Sequence, residues 1–504
     1  MPNPLYDTLF APGRDSDRAF LSDADGHTFS YRDFHALAAR QANALVAAGL
    51  ATGDRLAVQV EKTPQALALY AACVMSGIVL LPLNTAYTLS ELDYFIHDSG
   101  ARGVVCSPAI EADMKPRLSP GTVLLTLDAD GTGSLSDQAE HQASVFPVAD
   151  RSDDDLAALL YTSGTTGRSK GAMLSHANLV SNARTLAQLW QFECSDVLLH
   201  ALPIFHTHGL FVACNVTLMA QASMIFLPRF DLAAMLRLLP RATVLMGVPT
   251  FYTRLLGDPR FDRELVAHMR LFVSGSAPLL AETHVEFEQR TGHRILERYG
   301  MTETNMSVSN PYIGERRAGT VGFPLPDVDL VITDPDNGAI LAPGATGMIE
   351  VRGPNVFQGY WGMPEKTKAE LRDNGFFITG DIGRMDEDGY VHIVGRAKDL
   401  IISGGLNVYP REIELLLDEQ PGVLESAVVG VPHPDFGEAV LGFIVPKSGE
   451  ELDLAAIGRT AAESLARFKQ PRELLLLEEL PRNTMGKVQK AMLRELYKDR
   501  FSLP

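Results

Sequence analysis

The residues best suited to chemistry lie in the segment YTSGTTGRSKG, residues 161–171. Its glycines at 164, 167 and 171 let backbone N–H groups converge on an anion, while Thr162, Ser163, Thr165, Thr166 and Lys170 add hydroxyl and ammonium donors. An apolar run at 156–161 precedes the loop, and a polar-faced helix is expected from about Ser175. The segment therefore reads as a phosphate-binding loop between a strand and a helix. It is not a Walker A loop, in which Lys directly follows the second glycine; here Lys170 follows Gly167 by three positions. Other ionisable groups suited to catalysis or binding are scattered over the rest of the chain. Taken singly, Glu303, Asp381 and Lys487 read as solvated surface groups.

Such residues need a scaffold, and the local signals describe one. Ser30 followed by Asp33 has the pattern of a capping box; Phe34, Leu37, Ala38 and Leu45 share a helical face, and Gly49 ends that helix. Residues 56–60 read as a strand. Thr63 and Pro64 read as the N-cap and first position of a helix running to Gly77, and residues 78–83 as a buried strand. Repetition of such βα units to about residue 310 implies mostly parallel sheets covered by helices. From Gly319 the texture changes to short strands separated by Gly, Pro and Asp turns, which predicts a β-rich subdomain. After Arg396 a strand at 399–402, a helix opened by Pro410, two strands within 423–445, a helix near 454–468 and a strand at 474–477 predict a small α+β unit. The expected class is α/β, with a large N-terminal domain at 1–396 and a small C-terminal domain at 397–504.

Composition narrows the function classes. An apolar share of 46% and a charged share of 21% over 504 residues are those of a globular protein. No apolar stretch approaches the ~18 residues of a membrane span, and the first residues lack the basic and apolar regions of a secretory signal, so a cytoplasmic enzyme without a membrane partner is expected. The net charge of −18 argues against a nucleic-acid partner and requires local cations to hold any anionic substrate. Cys73, Cys106, Cys194 and Cys214 are dispersed, with no metal-binding spacing, and read as structural thiols.

The 161–171 loop resembles the signature of the adenylate-forming superfamily, which includes acyl-CoA synthetases, amino-acid adenylation domains and beetle luciferases. The resemblance spans essentially the whole chain. LPIFHTHG at 202–209, SGSAP at 274–278, YGMTE at 299–303, TGD at 379–381, GRAKD at 395–399 and NTMGK at 483–487 resemble the family's further motifs in their order. It implies ATP-dependent formation of an acyl-adenylate, followed by transfer of the acyl group to the thiol of coenzyme A, with Mg²⁺ as metal. Thr162, Ser163, Gly164, Thr165, Thr166, Gly167 and Lys170 would hold the β- and γ-phosphates. Glu303 and Thr166 would hold Mg²⁺, and Thr302 would contact the α-phosphate. Tyr299 would stack on adenine opposite Gly275, Ser276 and Ala277, with Glu297 and Gly300 in the same nucleotide site. Asp381 would bind the ribose diol with support from Arg396. Lys487 is the implied catalytic ammonium, on a C-terminal domain that turns about Lys398. Ser403, Gly404 and Gly405 would border the pantetheine tunnel. Ile402 stands where some relatives have a second lysine, so no thiolation role for a lysine carries over. The family also implies control by a lysine acyltransferase acting on Lys487.

The acid is read from Arg298. Relatives that take fatty or aromatic acids usually have Gly immediately before the Tyr-Gly of YGxTE. Here Arg298 stands where the acyl pocket should begin, and a buried guanidinium requires an anion. Either an internal acid such as Glu297 supplies it or the substrate brings a second carboxylate; neighbours in a strand point to opposite faces, which weakens Glu297. His206, Arg229 and Met306 are the further acyl-pocket candidates. The chain resembles malonyl-CoA synthetases, which implies a small dicarboxylic acid: malonate, with methylmalonate second. The alternatives are a short- or medium-chain monocarboxylate–CoA ligase with Arg298 paired internally, and a non-catalytic nucleotide or CoA sensor.

Overall fold

The computed structural model describes residues 2–162, 169–403, 406–434, 436–483 and 486–501. The expected α/β class is observed. The chain divides into two compact units, Met1–Asp329 with Val351–Phe377, and Leu330–Glu350 with Ile378–Pro504. The boundary expected at 396–397 lies within the second unit, where strand Val391–Arg396 lies against helix Pro410–Asp418.

Two sheets build the first unit. The six-stranded sheet runs, in spatial order, Val123–Thr126, Gly103–Cys106, Arg55–Gln59, Val79–Pro82, Leu156–Thr162 and Lys170–Ser175. All pairings are parallel except the last. The nine-stranded sheet has a parallel centre formed by Ala19–Ser22, Ser223–Phe226, Val197–His200, Val244–Gly247, Leu271–Ser274 and Leu296–Met301. Antiparallel strands close both of its ends. Local signals set the intervening helices. Ser30 and Asp33 form the capping box of Tyr31–Ala47, Thr63 caps Pro64–Ser76, and Gly77 ends that helix at φ 69°. Helix Pro64–Ser76, the crossover between the paired parallel strands Arg55–Gln59 and Val79–Pro82, is buried nearly all round. Among the described residues no helix is long and apolar enough to cross a membrane.

The second unit holds a four-stranded sheet, Asp329–Thr333, Gly347–Arg352, Phe377–Met385 and Val391–Arg396, whose ends cross into the first unit. It also holds a five-stranded sheet centred on Gly437–Pro446. Alternation along the latter's strands makes two cores. Val428, Val440 and Ile444 pack under the helices Pro410–Asp418 and Leu454–Ser464, while Val429, Leu441 and Phe443 face Leu493 of helix Lys490–Leu496. That last helix was not anticipated: in its short, charge-rich sequence Leu493 is the only buried residue.

Candidate active site

The phosphate-loop reading needs one correction. Leu156–Thr162 is followed by an antiparallel strand, Lys170–Ser175, and only then by helix His176–Leu189. The loop therefore joins a hairpin, with Thr162 and Lys170 opposite one another, and is not a strand-to-helix turn. Glycine and Lys at the start of KGAMLS disguise a strand whose pairing with 156–162 the sequence does not display. Ser163, Gly164, Thr165, Thr166 and Gly167 lie outside the described residues, as do Gly404 and Gly405.

Around the hairpin's open end a buried polar cluster assembles. Lys170 Nζ lies 3.1 Å from Glu370 Oε2 and 4.0 Å from the centre of the Tyr360 ring. Glu370 also pairs with Lys366 at 2.7 Å. Burial alone would push the Glu370 carboxyl up, but the bonds from Lys366, Tyr360 and Lys170 bring it below its ordinary range. The Tyr360 hydroxyl stands 2.7 Å from Glu370 Oε2 and 3.0 Å from Glu303 Oε1, so its single proton ties two carboxylates together. Burial, reinforced by both carboxylates, pushes the Tyr360 phenol up. Thr162 Oγ1 lies 3.5 Å from the same Glu303 oxygen.

Glu303 and Thr302 occupy the reversal between strands Leu296–Met301 and Asn305–Ser309, at the carboxyl end of a parallel strand where α/β sites form. The Phe357 N–H donates to the Glu303 carbonyl at 2.8 Å, and Asn355 Nδ2 donates to the Thr304 carbonyl at 2.7 Å, fixing the turn. Gly300 sits at a bulge where a Cβ would meet the Asn305 carbonyl oxygen at 1.9 Å, so only glycine fits. The half-buried Tyr299 precedes it.

Arg298 is 4% exposed, and among the described residues its Nε and Nη2 have no hydrogen-bond partner. Burial pushes the guanidinium down to about 9. The Glu297 side chain lies 3.4 Å from His284 Nδ1. Gly275 lies flat against the Arg298 guanidinium: a Cβ there would stand 2.2 Å from Cζ. Ser276 holds a left-handed φ of 71°, and its Oγ lies 3.1 Å from His208 Nδ1; Ala277 follows it. His208 is buried and held well below the usual imidazole range, first by burial and then by the charges of Arg298 and His206. Its Nε2 also lacks a partner among the described residues. Met306 packs beside Gly300, and His206 is half-buried beside His208, whose N–H donates to its Nδ1 at 3.3 Å. Arg229 is exposed in the turn after strand Ser223–Phe226.

In the second unit Asp381 is buried opposite Arg396, with Nε 2.8 Å from Oδ1, and its backbone N–H donates to Thr379 Oγ1 at 3.0 Å. Lys398 is exposed in the short turn Ala397–Asp399, and Ser403 is buried. Lys487 is exposed; its N–H donates to Asn483 Oδ1 at 3.0 Å, and Gly486 turns the chain at φ 74°.

The sequence did not single out His208, Tyr360 or Glu370. His208 lay within a quoted motif; the other two carry no local signal, because their partners are distant in the chain. Among the described residues no group of three or more His, Cys, Asp or Glu could cage a metal. Glu303, oriented by Tyr360 and beside the Thr162 hydroxyl, fits Mg²⁺, which takes one or two carboxylates together with substrate phosphates.

These features match known proteins. The family described as AMP-binding enzyme matches residues 11–361, and its C-terminal domain matches 412–487. The chain is 36% identical to malonate–CoA ligase of Arabidopsis thaliana, covering 89% of this chain and 78% of that one. It is also 36% identical to feruloyl-CoA synthase of an Amycolatopsis species, covering 94% of each. ATP-bound MatB from Rhodopseudomonas palustris superposes with a TM-score of 0.98 at 57% identity over 100% of both chains. Relatives named for different acids stand at the same identity, so similarity at that level carries the reaction and leaves the acid to the pocket. The chain belongs to the AMP-binding enzyme family and is an AMP-forming acyl-CoA ligase that works through an acyl-adenylate, with ATP, Mg²⁺ and coenzyme A.

Proposed function

We propose that the acid is malonate, with methylmalonate as a second substrate. The supporting observation is Arg298, a buried guanidinium whose Nε and Nη2 are unpartnered among the described residues. An isolated buried charge is costly, so the site is completed by an anion. The reacting carboxylate of a short dicarboxylate faces ATP while the distal one pairs with Arg298; His208 and Ser276 add polar groups beside it. Among the described residues no acid bonds Arg298 Nε or Nη2, and Glu297 lies 3.4 Å from His284. Malonate–CoA ligase of Arabidopsis thaliana and MatB of Rhodopseudomonas palustris are among the similar proteins.

In the first half-reaction a carboxylate oxygen attacks the α-phosphorus, the bond to the bridging oxygen breaks, and pyrophosphate leaves. In the second the CoA thiolate attacks the acyl carbon and AMP leaves with its electron pair. Both reactants of the first step are anions, so charge cancellation and alignment dominate. Lys170 and the hydroxyls of the 162–166 segment bind the phosphates, and Thr302 the α-phosphate. Glu303, with Thr166, would hold Mg²⁺, which would neutralise phosphate charge. Tyr299 and residues 275–277 hold adenine, Asp381 with Arg396 the ribose, and Lys487 bridges carboxylate and α-phosphate as catalytic ammonium. Lys398 serves as the hinge between half-reactions, and residues 403–405 border the pantetheine path. A lysine acyltransferase that neutralised Lys487 would stop adenylation selectively. A cytoplasmic setting suits a reaction that consumes ATP and CoA.

AMP release measured with malonate, methylmalonate, succinate, acetate and propionate tests the assignment. Malonate is expected to have the highest kcat/KM, with acetate and propionate poor; a monocarboxylate at the head of the panel would overturn it.

A further inference from the structure

A buried pair of basic side chains, Lys62 and His200, joins the two sheets of the first unit. Lys62 follows strand Arg55–Gln59 of the six-stranded sheet, and His200 ends strand Val197–His200 of the nine-stranded sheet. Both are buried, and Lys62 has no carboxylate within ion-pair distance among the described residues. Lys62 Nζ lies 2.8 Å from His200 Nδ1 and 2.8 Å from the His200 carbonyl oxygen, with the ring of Phe226 4.2 Å away for its remaining valence. His200 Nε2 lies 2.9 Å from the carbonyl oxygen of Gly209. A carbonyl only accepts, so His200 Nε2 carries the proton and Nδ1 is the acceptor for Lys62. Burial holds both groups well below their ordinary ranges, and the neighbouring Lys62 lowers His200 further, so the imidazole stays neutral and keeps this tautomer.

The chain of bonds runs Lys62 to His200 to Gly209, and residues 200 and 209 are the two ends of the segment carrying His206, Thr207 and His208. Gly209 has no room for a Cβ, which would stand 2.0 Å from the Pro203 carbonyl oxygen, so the segment is folded tightly on itself. Its inner residues reach the pocket: His208 meets Ser276, and Thr207 Oγ1 lies 3.2 Å from Asn305 Oδ1. Mechanically, Lys62 is a tie between two sheets that closes the base of the loop presenting the pocket's histidines.

We infer that Lys62 and His200 are positioning residues that pin the 200–209 loop and thereby set acid binding without touching substrate. The loop-pinning part stands on geometry alone; its effect on the acid rests on the acyl-CoA ligase reading.

The test uses the full-length protein and three variants. Lys62→Met keeps the stem and removes Nζ. His200→Asn keeps an atom near Nδ1 but loses the reach to Gly209, whereas His200→Gln retains a donor near Nε2. Hydrogen exchange of the 201–210 amides should rise at least about tenfold in Lys62→Met and His200→Asn and stay near wild type in His200→Gln. KM for the best acid of the panel should rise at least about tenfold in the first two, with KM for ATP within about twofold. The Lys62→Met/His200→Asn double variant should lose no more than the worse single one, since both cut the same chain. Unchanged exchange at 201–210, equal rises in both KM values, or additive losses would each overturn the inference. Should Lys62→Met not fold, the His200→Asn and His200→Gln contrast decides it. Raised exchange in a protein whose wild type turns over no acid would sink the ligase reading while leaving the pin intact.

Discussion

Gly275 and Arg298 are in face contact: a Cβ on the glycine would stand 2.2 Å from the guanidinium carbon and 2.4 Å from Nη1. One residue belongs to the loop proposed around adenine and the other to the proposed acyl pocket, so on that proposal the two subsites share a wall. Gly275→Ala should displace Arg298 and raise the KM for malonate by about 10- to 100-fold, as misplacement near 1 Å does in other sites. Steady-state AMP release against acid concentration reads this out, and an unaltered malonate KM would count against the shared wall.

Arg298→Met should trade function for stability. Removing an unpaired buried cation in favour of an apolar side chain of similar length is expected to stabilise the unit by about 1–4 kcal/mol, while malonate use is lost and acetate or propionate use is spared. Burial holds the folded-state pKa at about 9, well below the ordinary guanidinium value. Between those values the unfolded chain keeps a proton that the folded chain has released, so wild-type stability rises with pH there. The advantage of Met is therefore full below about pH 9 and shrinks above it. Urea unfolding at pH 7, 8, 9 and 10 measures both the sign and the window.

Tyr360→Phe removes the proton that joins Glu303 to Glu370. The buried Glu303 and the half-buried Glu370 then face each other with a lost hydrogen bond, a change of about 1–3 kcal/mol, and Glu303 loses its orientation. The expected result is a fall of about tenfold or more in kcat/KM for MgATP and a higher Mg²⁺ requirement, with the acid KM unchanged. Titrating Mg²⁺ at saturating acid separates these terms.

Lys487→Ala should slow adenylation by about 10²- to 10³-fold, the usual loss when one group stabilising transition-state charge is removed. Thioester formation from chemically prepared acyl-adenylate should persist. Pyrophosphate exchange and single-turnover thiolation distinguish the two steps; loss of both would argue that Lys487 is structural.

Asp418 predicts a pH effect in the second unit. Its carboxyl is pushed up to about 6, chiefly by burial, although Ser426 donates to Oδ1 at 2.7 Å and Arg411 lies 3.4 Å from Oδ2. A folded-state pKa above the ordinary 3.8 means that the folded form binds the proton more tightly. The associated stability is present below about pH 4 and is lost as pH rises through about 6. Asp418→Asn, which keeps an acceptor for Ser426, should therefore stabilise this unit at pH 7.5 and make little difference at pH 4. Thermal unfolding at both values checks it.

Local grammar made much of this protein legible from its residues. Ser30 with Asp33, and Thr63 with Pro64 and Gly77, specify helix ends because a cap is satisfied within a few residues of itself. The run of motifs from the 161–171 loop to NTMGK named the reaction, since each carries side chains whose chemistry is fixed by type. The alternation of Glu297 and Arg298 across a strand weakened Glu297 as the partner of Arg298, and the Glu297 carboxylate lies 3.4 Å from His284. Tertiary structure decided what no local rule contains. It made Lys170–Ser175 a strand, brought Tyr360 between Glu303 and Glu370, laid Arg298 on Gly275, and joined Lys62 to His200, 138 residues away. Those partnerships depend on which strands become neighbours and how the crossovers return. A sequence states its local periods directly but sets long-range neighbours only through the packing of the whole core.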